Sequence, residues 1–310
     1  MKRSSGERAL AGALTLLGIT MLAVLVSSNF LTIVQEYILT LYPDMTENAE
    51  ILLDCAAYIL SIALPLVLFT TLRGGLCPVS GPRRRTSDNA LSFGLICMGA
   101  GLLSSVVSSL ISAAIEENGT VLYTFLPSFE QESMLGVFLK FVSLSILPAV
   151  MEELLFRRAM INVLRPYGNF YAVAVSSLCF TLCHTTVGQL LPAAVMGMCL
   201  GWTFLYTGKL SLCIGIHFIY NLYAAFITLL GEKYSPSFSG TALIISTVIF
   251  VLLGTAAAVR LLRCDDDEEY EPEHYPRIKT GNRLLAIFSN IPFLTAAAVF
   301  IWFTVSQSAL

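Results

Sequence analysis

Long apolar stretches separated by short polar segments dominate this chain. A membrane-spanning helix needs about 20 mostly apolar residues. Stretches of about that length lie at 9–31, 50–72, 90–115, 135–164, 170–187, 189–207, 210–230, 241–262 and 284–306. Backbone groups in lipid must be hydrogen-bonded within their own segment, so each stretch is expected to be a helix. The pattern predicts an all-α, polytopic transmembrane helix bundle of about eight or nine spans. The two stretches around Gly188 can be two short helices or one broken unit.

Composition supports the membrane assignment. Of the 310 residues, 56% are hydrophobic and only 13% are charged, which is typical of a polytopic membrane protein rather than of a soluble domain. The net charge of −3 is small, and no basic patch is suited to nucleic acid. We therefore expect membrane lipid to surround the chain and no nucleic-acid partner.

The basic residues are concentrated in alternate loops, and this asymmetry predicts an orientation. Lys and Arg precede the first span and recur in every second connection, while the loops between carry mainly Asp and Glu. By the positive-inside rule the N-terminus is cytoplasmic and the C-terminus lies outside, in the cell membrane. An acidic segment at about 264–280 is then a cytoplasmic connector.

Three regions follow from this reading. Residues 1–134 form an N-terminal transmembrane scaffold of three spans, and residues 135–230 form a helical core of four spans that holds the candidate chemistry. Residues 231–310 contribute the last spans and the acidic loop.

The most unusual stretch is Glu152-Glu153, which lies within the apolar run from Met134 to Leu164 together with Arg157. Charged side chains at membrane depth cost several kcal/mol and normally face a bundle interior or a watery cavity. Glu153 and Arg157 are four residues apart and can pair along one helix face, while Glu152 points about 100° away. The alternative is a helix end at the membrane surface, where these charges serve only topology.

Two of the three histidines also lie inside predicted spans. His184 and His217 can face the same cavity as Glu152, and Asn221 follows His217 by one helical turn. Counting about 1.5 Å per residue from the basic residues at the cytoplasmic interface places Glu152, His184 and His217 about 9, 10 and 12 Å inside. The sequence therefore predicts one shared site nearer the cytoplasmic face.

Such a set of side chains is suited to hydrolysis. A carboxylate and a histidine around one water can remove its proton, and a second histidine with an amide can donate to the oxygen that gains charge when a carbonyl is attacked. Alternatively, Glu152, His184 and His217 are candidate ligands of one zinc ion with an open position for water. Both readings describe a hydrolase of amide bonds.

Three motifs carry a resemblance: Glu152-Glu153-x-x-x-Arg157, Phe180-x-x-x-His184 and His217-x-x-x-Asn221. Together they resemble the CPBP family of intramembrane proteases, the CAAX-protease and bacteriocin-processing family that includes type II CAAX prenyl endopeptidases and bacterial immunity proteins. The resemblance covers about Leu135 to Leu230 and implies that Glu152 activates water together with His184. It implies that Glu153 and Arg157 support that geometry. It also implies that His217 and Asn221 form the oxyanion site.

The resemblance predicts an intramembrane endopeptidase acting on a membrane-associated or hydrophobic peptide. Family members are commonly called metalloproteases, but a metal-free glutamate mechanism is also argued for them, so a zinc cofactor stays open. Two alternatives are a non-proteolytic membrane binding or immunity protein on the same fold and a small proton-coupled transporter. Against the transporter, the chain shows no inverted repeat and no paired set of broken helices.

Overall fold

A computed structural model describes residues 4–75, 89–117, 129, 133–263 and 278–308, and within these ranges the chain is helical without any strand. The helices are α1 (Ser5–Leu41), α2 (Glu47–Arg73), α3 (Ala90–Glu117), α4 (Met134–Tyr167), α5 (Asn169–Cys183), α6 (Val187–Thr207), α7 (Leu210–Lys233), α8 (Pro236–Arg263), α9 (Thr280–Phe288) and α10 (Ile291–Ser308). The predicted all-α class is confirmed. Most of the predicted acidic loop lies outside the described residues.

The membrane-spanning capacity agrees with the predicted count. Over the described ranges, seven helices are long and apolar enough to cross a bilayer, and the pair α9–α10, bent by 64°, raises the number to eight. The stretch predicted at 284–306 as one span is therefore this bent pair. α5 has only 15 residues, which at 1.5 Å per residue is about 22 Å, short of the hydrocarbon thickness of about 30 Å.

The break near Gly188 separates two helices. α5 ends at Cys183, His184 follows as its C-cap, and α6 begins at Val187. The helices run antiparallel in close contact, because a Cβ on Gly197 would lie 3.1 Å from the Ser177 side chain and one on Gly201 would lie 2.9 Å from the Val173 side chain. His184 consequently sits at the tip of a helical hairpin. The helix predicted to reach residue 187 ends four residues earlier, at Cys183.

α4 departs from regular α-helical winding at two places. Val142–Ile146 and Glu153–Ile161 are π-helical. π-Helical turns are rare and are frequently found at functional sites. The longer one begins at Glu153, directly after Glu152, so the two candidate carboxylates lie at a change of helical winding.

Glycines allow close helix contacts elsewhere in the bundle. A Cβ on Gly99 of α3 would lie 2.5 Å from the Phe250 carbonyl oxygen of α8, and one on Gly254 would lie 2.8 Å from the Leu95 carbonyl oxygen. A Cβ on Gly18 of α1 would likewise collide with the backbone at the start of α10. Small residues at such crossings let helices associate in lipid, where no hydrophobic effect draws them together.

Candidate active site

Glu153 joins α4 to α7 through a buried cluster of charged and polar groups. Its Oε1 lies 2.9 Å from Arg157 Nη1 and 2.9 Å from His217 Nδ1. The three residues are exposed by 3% or less. Charges this deeply buried are tolerated only with a well-placed partner. The predicted Glu153–Arg157 pair is confirmed, and the contact with His217 adds a link between helices.

Phe180 of α5 packs against both histidines and the arginine. The Arg157 guanidinium carbon lies 4.5 Å from the centre of the Phe180 ring, in cation–π contact. The ring centres of His184, Phe156 and His217 lie 4.8, 5.2 and 5.8 Å from that of Phe180. Phe180 therefore contacts His184, the other residue of its motif, and also packs against the charged cluster.

Glu152 points away from Glu153, as the helical spacing predicts, and meets different partners. Its Oε1 accepts a hydrogen bond of 2.7 Å from Tyr58 Oη. Its Oε2 lies 3.8 Å from His217 Nε2 and is buried without a hydrogen-bond partner among the residues of the described ranges. His217 thus stands between the carboxylates, with one ring nitrogen toward each.

Tyr58 is the functional candidate that sequence reasoning missed. It lies on α2, in the region read as scaffold, and its partner Glu152 is 94 residues away in the chain. The only sequence signal is a polar hydroxyl within an apolar span, and that signal is shared by other tyrosines of the chain.

His184 lies at the margin of this cluster. His184 Nδ1 lies 2.9 Å from the Phe180 carbonyl oxygen. A carbonyl only accepts, so Nδ1 carries the proton and Nε2 is the acceptor in the neutral ring. Asn221 is half-buried one turn after His217 on α7. The structure joins Glu152, Glu153 and His217 by direct contacts, whereas His184 is linked to them through Phe180.

A cavity of about 390 Å³ lies over Glu152. Its walls come from α1, α2, α4, α10 and the α5–α6 connection, and they include Asn29, Tyr58, Phe156 and Phe303. This volume falls within the usual range of small-ligand sites. Three of its five walls therefore lie outside the predicted catalytic core.

The candidate zinc ligands do not form a coordination group. Across the ranges the structure describes, no three His, Cys, Asp or Glu side chains are placed to hold a metal ion. Glu152 and His217 approach each other, but the hydrogen bond of His184 runs back to its own helix. The arrangement does not fit the zinc site that the sequence leaves open as an alternative, and no step below depends on a metal.

Comparison with known proteins bears on the same segment. The family model of the type II CAAX prenyl endopeptidase Rce1-like proteins matches residues 134–223. The chain has no match among curated proteins or among solved structures. The matched range contains all six candidate site residues and excludes Tyr58. The chain is thus a multi-pass membrane protein whose residues 134–223 are similar to the type II CAAX prenyl endopeptidase Rce1-like family.

Proposed function

We propose that this protein is an intramembrane endopeptidase that hydrolyses a peptide bond of a membrane-associated or hydrophobic peptide. The observation that carries the proposal is Glu152 itself: a carboxylate in an Rce1-like domain, with one oxygen held by Tyr58 and the other turned toward His217 beside a cavity. A half-buried carboxylate whose Oε2 is itself buried and uncommitted has the form of a general base.

The nucleophile in this mechanism is a water molecule bound at Oε2 of Glu152. The separation of 3.8 Å between Oε2 and His217 Nε2 is too long for a direct hydrogen bond, and a water can bridge two polar atoms at such a distance. Glu152 accepts a proton from the water as its oxygen attacks the substrate carbonyl carbon. Nε2 of His184, whose Nδ1–H donates to the Phe180 carbonyl, supplies a second acceptor for the water.

His217 and Asn221 stabilise the oxyanion that forms. Nδ1 of His217 contacts Glu153 while Nε2 faces Glu152, so a hydrogen on Nε2 can be donated to the developing oxyanion, and the Asn221 amide supplies a second donor. Arg157 compensates the charge of Glu153 and keeps this arrangement in place.

Hydrolysis is completed when the C–N bond breaks. The proton held by Glu152 passes to the leaving nitrogen, so the carboxylate returns to its starting state. The net change is the addition of one water across the peptide bond, and it needs no cofactor.

The test is cleavage of membrane-inserted peptides by purified protein in liposomes. We expect Glu152→Gln to reduce cleavage at least about 100-fold, as expected for loss of a general base, and His184→Ala and His217→Ala to impair it. Glu36→Gln is the matched control, because Glu36 is an exposed acid on α1. Full activity of Glu152→Gln would refute the role of Glu152 as general base. Proton-coupled solute flux that depends on Glu152, without any cleavage, would favour a transporter.

A further inference from the structure

The cavity over Glu152 is built largely by helices outside the Rce1-like domain. α1 contributes Ser28, Asn29 and Thr32, and α10 contributes Phe300 and Phe303. The family match ends at residue 223 and begins at residue 134. The domain therefore supplies the reacting carboxylate, while the flanking helices form the space in front of it.

The α1 wall presents mainly hydrogen-bond acceptors. The Ser28 hydroxyl donates to the Val24 carbonyl, the Thr32 hydroxyl donates to the Ser28 carbonyl, and one Asn29 amide hydrogen goes to the Leu25 carbonyl. With these donors committed to their own helix, the wall turns hydroxyl lone pairs, the Asn29 carbonyl oxygen and one amide hydrogen toward the cavity.

The rest of the lining is mainly apolar. Beside Glu152 it includes five large apolar side chains: Ile62, Leu155, Phe156, Phe300 and Phe303. A ligand that fills this cavity therefore needs hydrogen-bond donors toward α1 and apolar groups toward the other helices.

An extended peptide supplies both kinds of group, because its backbone N–H and C=O groups lie along the strand edges while its side chains project from the two faces. Its N–H groups on one edge recur every two residues, at about 6.6 Å, while Ser28 and Thr32, four apart on a helix, lie about 5–6 Å apart. In a membrane an unpaired N–H costs several kcal/mol. A row of acceptors therefore favours an extended peptide, whose N–H groups are not already paired within a helix. Apolar side chains of the peptide would pack on the aromatic wall.

We propose that this cavity is the substrate cleft and holds a short extended segment of an apolar peptide, its backbone N–H groups along Ser28, Asn29 and Thr32 and a side chain against Phe300 and Phe303. The proposal rests on the proposed function and adds its specificity determinants: α1 selects extended backbone, and α10 selects the side chain beside the scissile bond.

A photo-cross-linking experiment tests the cleft. The full chain carries Glu152→Gln to stop turnover, together with benzoylphenylalanine at position 303 or, as the matched control, at position 302. Trp302 is 67% exposed and is not part of the cavity wall, whereas Phe303 lines it. The probe is a mixture of biotinylated apolar peptides of about 20 residues with a randomised central segment, inserted in liposomes.

We expect cross-links at position 303 to exceed those at position 302 by roughly tenfold, a ratio typical of one specific pocket contact. Asn29 is exposed, and Asn29→Leu removes a hydrogen-bond acceptor. Adding this substitution should reduce the amount of peptide cross-linked at position 303. Equal labelling at both positions, or none at 303, would overturn the cleft.

The two proposals fail in different ways. Wild-type cleavage of the same peptides without a 303 cross-link would refute the cleft and leave the protease intact. A 303 cross-link that responds to Asn29→Leu, without any wild-type cleavage, would support the cleft as a peptide site and refute the protease. In the active protein, Phe303→Ala is expected to shift the cleaved sequences toward larger side chains, and Trp302→Ala is not.

Discussion

Removal of the Tyr58 hydroxyl tests how Glu152 is positioned. Tyr58→Phe keeps the ring but deletes the 2.7 Å hydrogen bond to Glu152 Oε1. Without it the carboxylate can rotate, and Oε2 loses its fixed direction toward His217 Nε2. The change concerns orientation of the base and not substrate contacts, so kcat is expected to fall while KM stays nearly constant.

The size of the effect follows from the bond that is lost. A hydrogen bond to a charged group contributes about 1.5–3 kcal/mol, and about 1.36 kcal/mol changes a rate tenfold. If the whole contribution is expressed in the transition state, kcat falls by about 10- to 150-fold. A smaller loss would mean that neighbouring groups hold the carboxylate without the hydroxyl.

The assay compares kcat and KM of purified Tyr58→Phe with those of Tyr223→Phe in liposomes. Tyr223 also contributes a hydroxyl that links two helices, because it hydrogen-bonds with Ser246 of α8, but it does not touch Glu152. Melting curves of both variants report any general loss of folding. A kcat of Tyr58→Phe within twofold of wild type, or a change confined to KM, would refute the positioning role.

Three further predictions concern the buried ion pair, helix packing and metal dependence. Arg157→Leu removes one of the two partners of the buried Glu153 carboxylate, leaving the contact with His217, and should cost about 3–5 kcal/mol. This loss is expected as a large drop in melting temperature that Glu153→Gln partly reverses; an unchanged melting temperature would contradict it. Gly99→Leu should push α3 from α8 and lower stability, whereas Gly12→Leu, at a position with open space, should not; equal melting of both would contradict the close crossing. Because the candidate ligands form no coordination group, exhaustive chelation should leave cleavage unchanged, and loss of activity restored by zinc would show otherwise.

Local patterns predicted most of the helices and misplaced two boundaries. The last apolar stretch reads as one span, yet the chain bends before α10. There the Asn290 side chain accepts from the Phe293 backbone and donates to the Ala11 carbonyl of α1. Asparagine as an N-cap, with Pro292 in the first turn, is a recognisable start signal, but mean hydropathy over a long window does not register it.

α5 was predicted too long for a related reason. Hydropathy records that a segment is apolar, and does not distinguish lipid contact from burial against neighbouring helices. α5 is covered by α6 and by α4, where its Ser176 hydroxyl donates to the Phe156 carbonyl. A helix buried by protein on several sides is apolar whatever its length, so 15 residues give the same signal as part of a full span.

The sequence by itself determined the features that depend on neighbours within a few residues. Apolar runs predicted the helical membrane fold, and the four-residue spacing predicted the Glu153–Arg157 pair, because residues i and i+4 meet on any helix. Tertiary structure decided which distant groups complete the site. Tyr58 reaches Glu152, and His217 reaches Glu153 across 64 residues of chain, only because α2 and α7 both pack on α4. The two neighbouring carboxylates thus have different surroundings. Glu153 is held in a cluster of charged groups, and Glu152 faces a cavity.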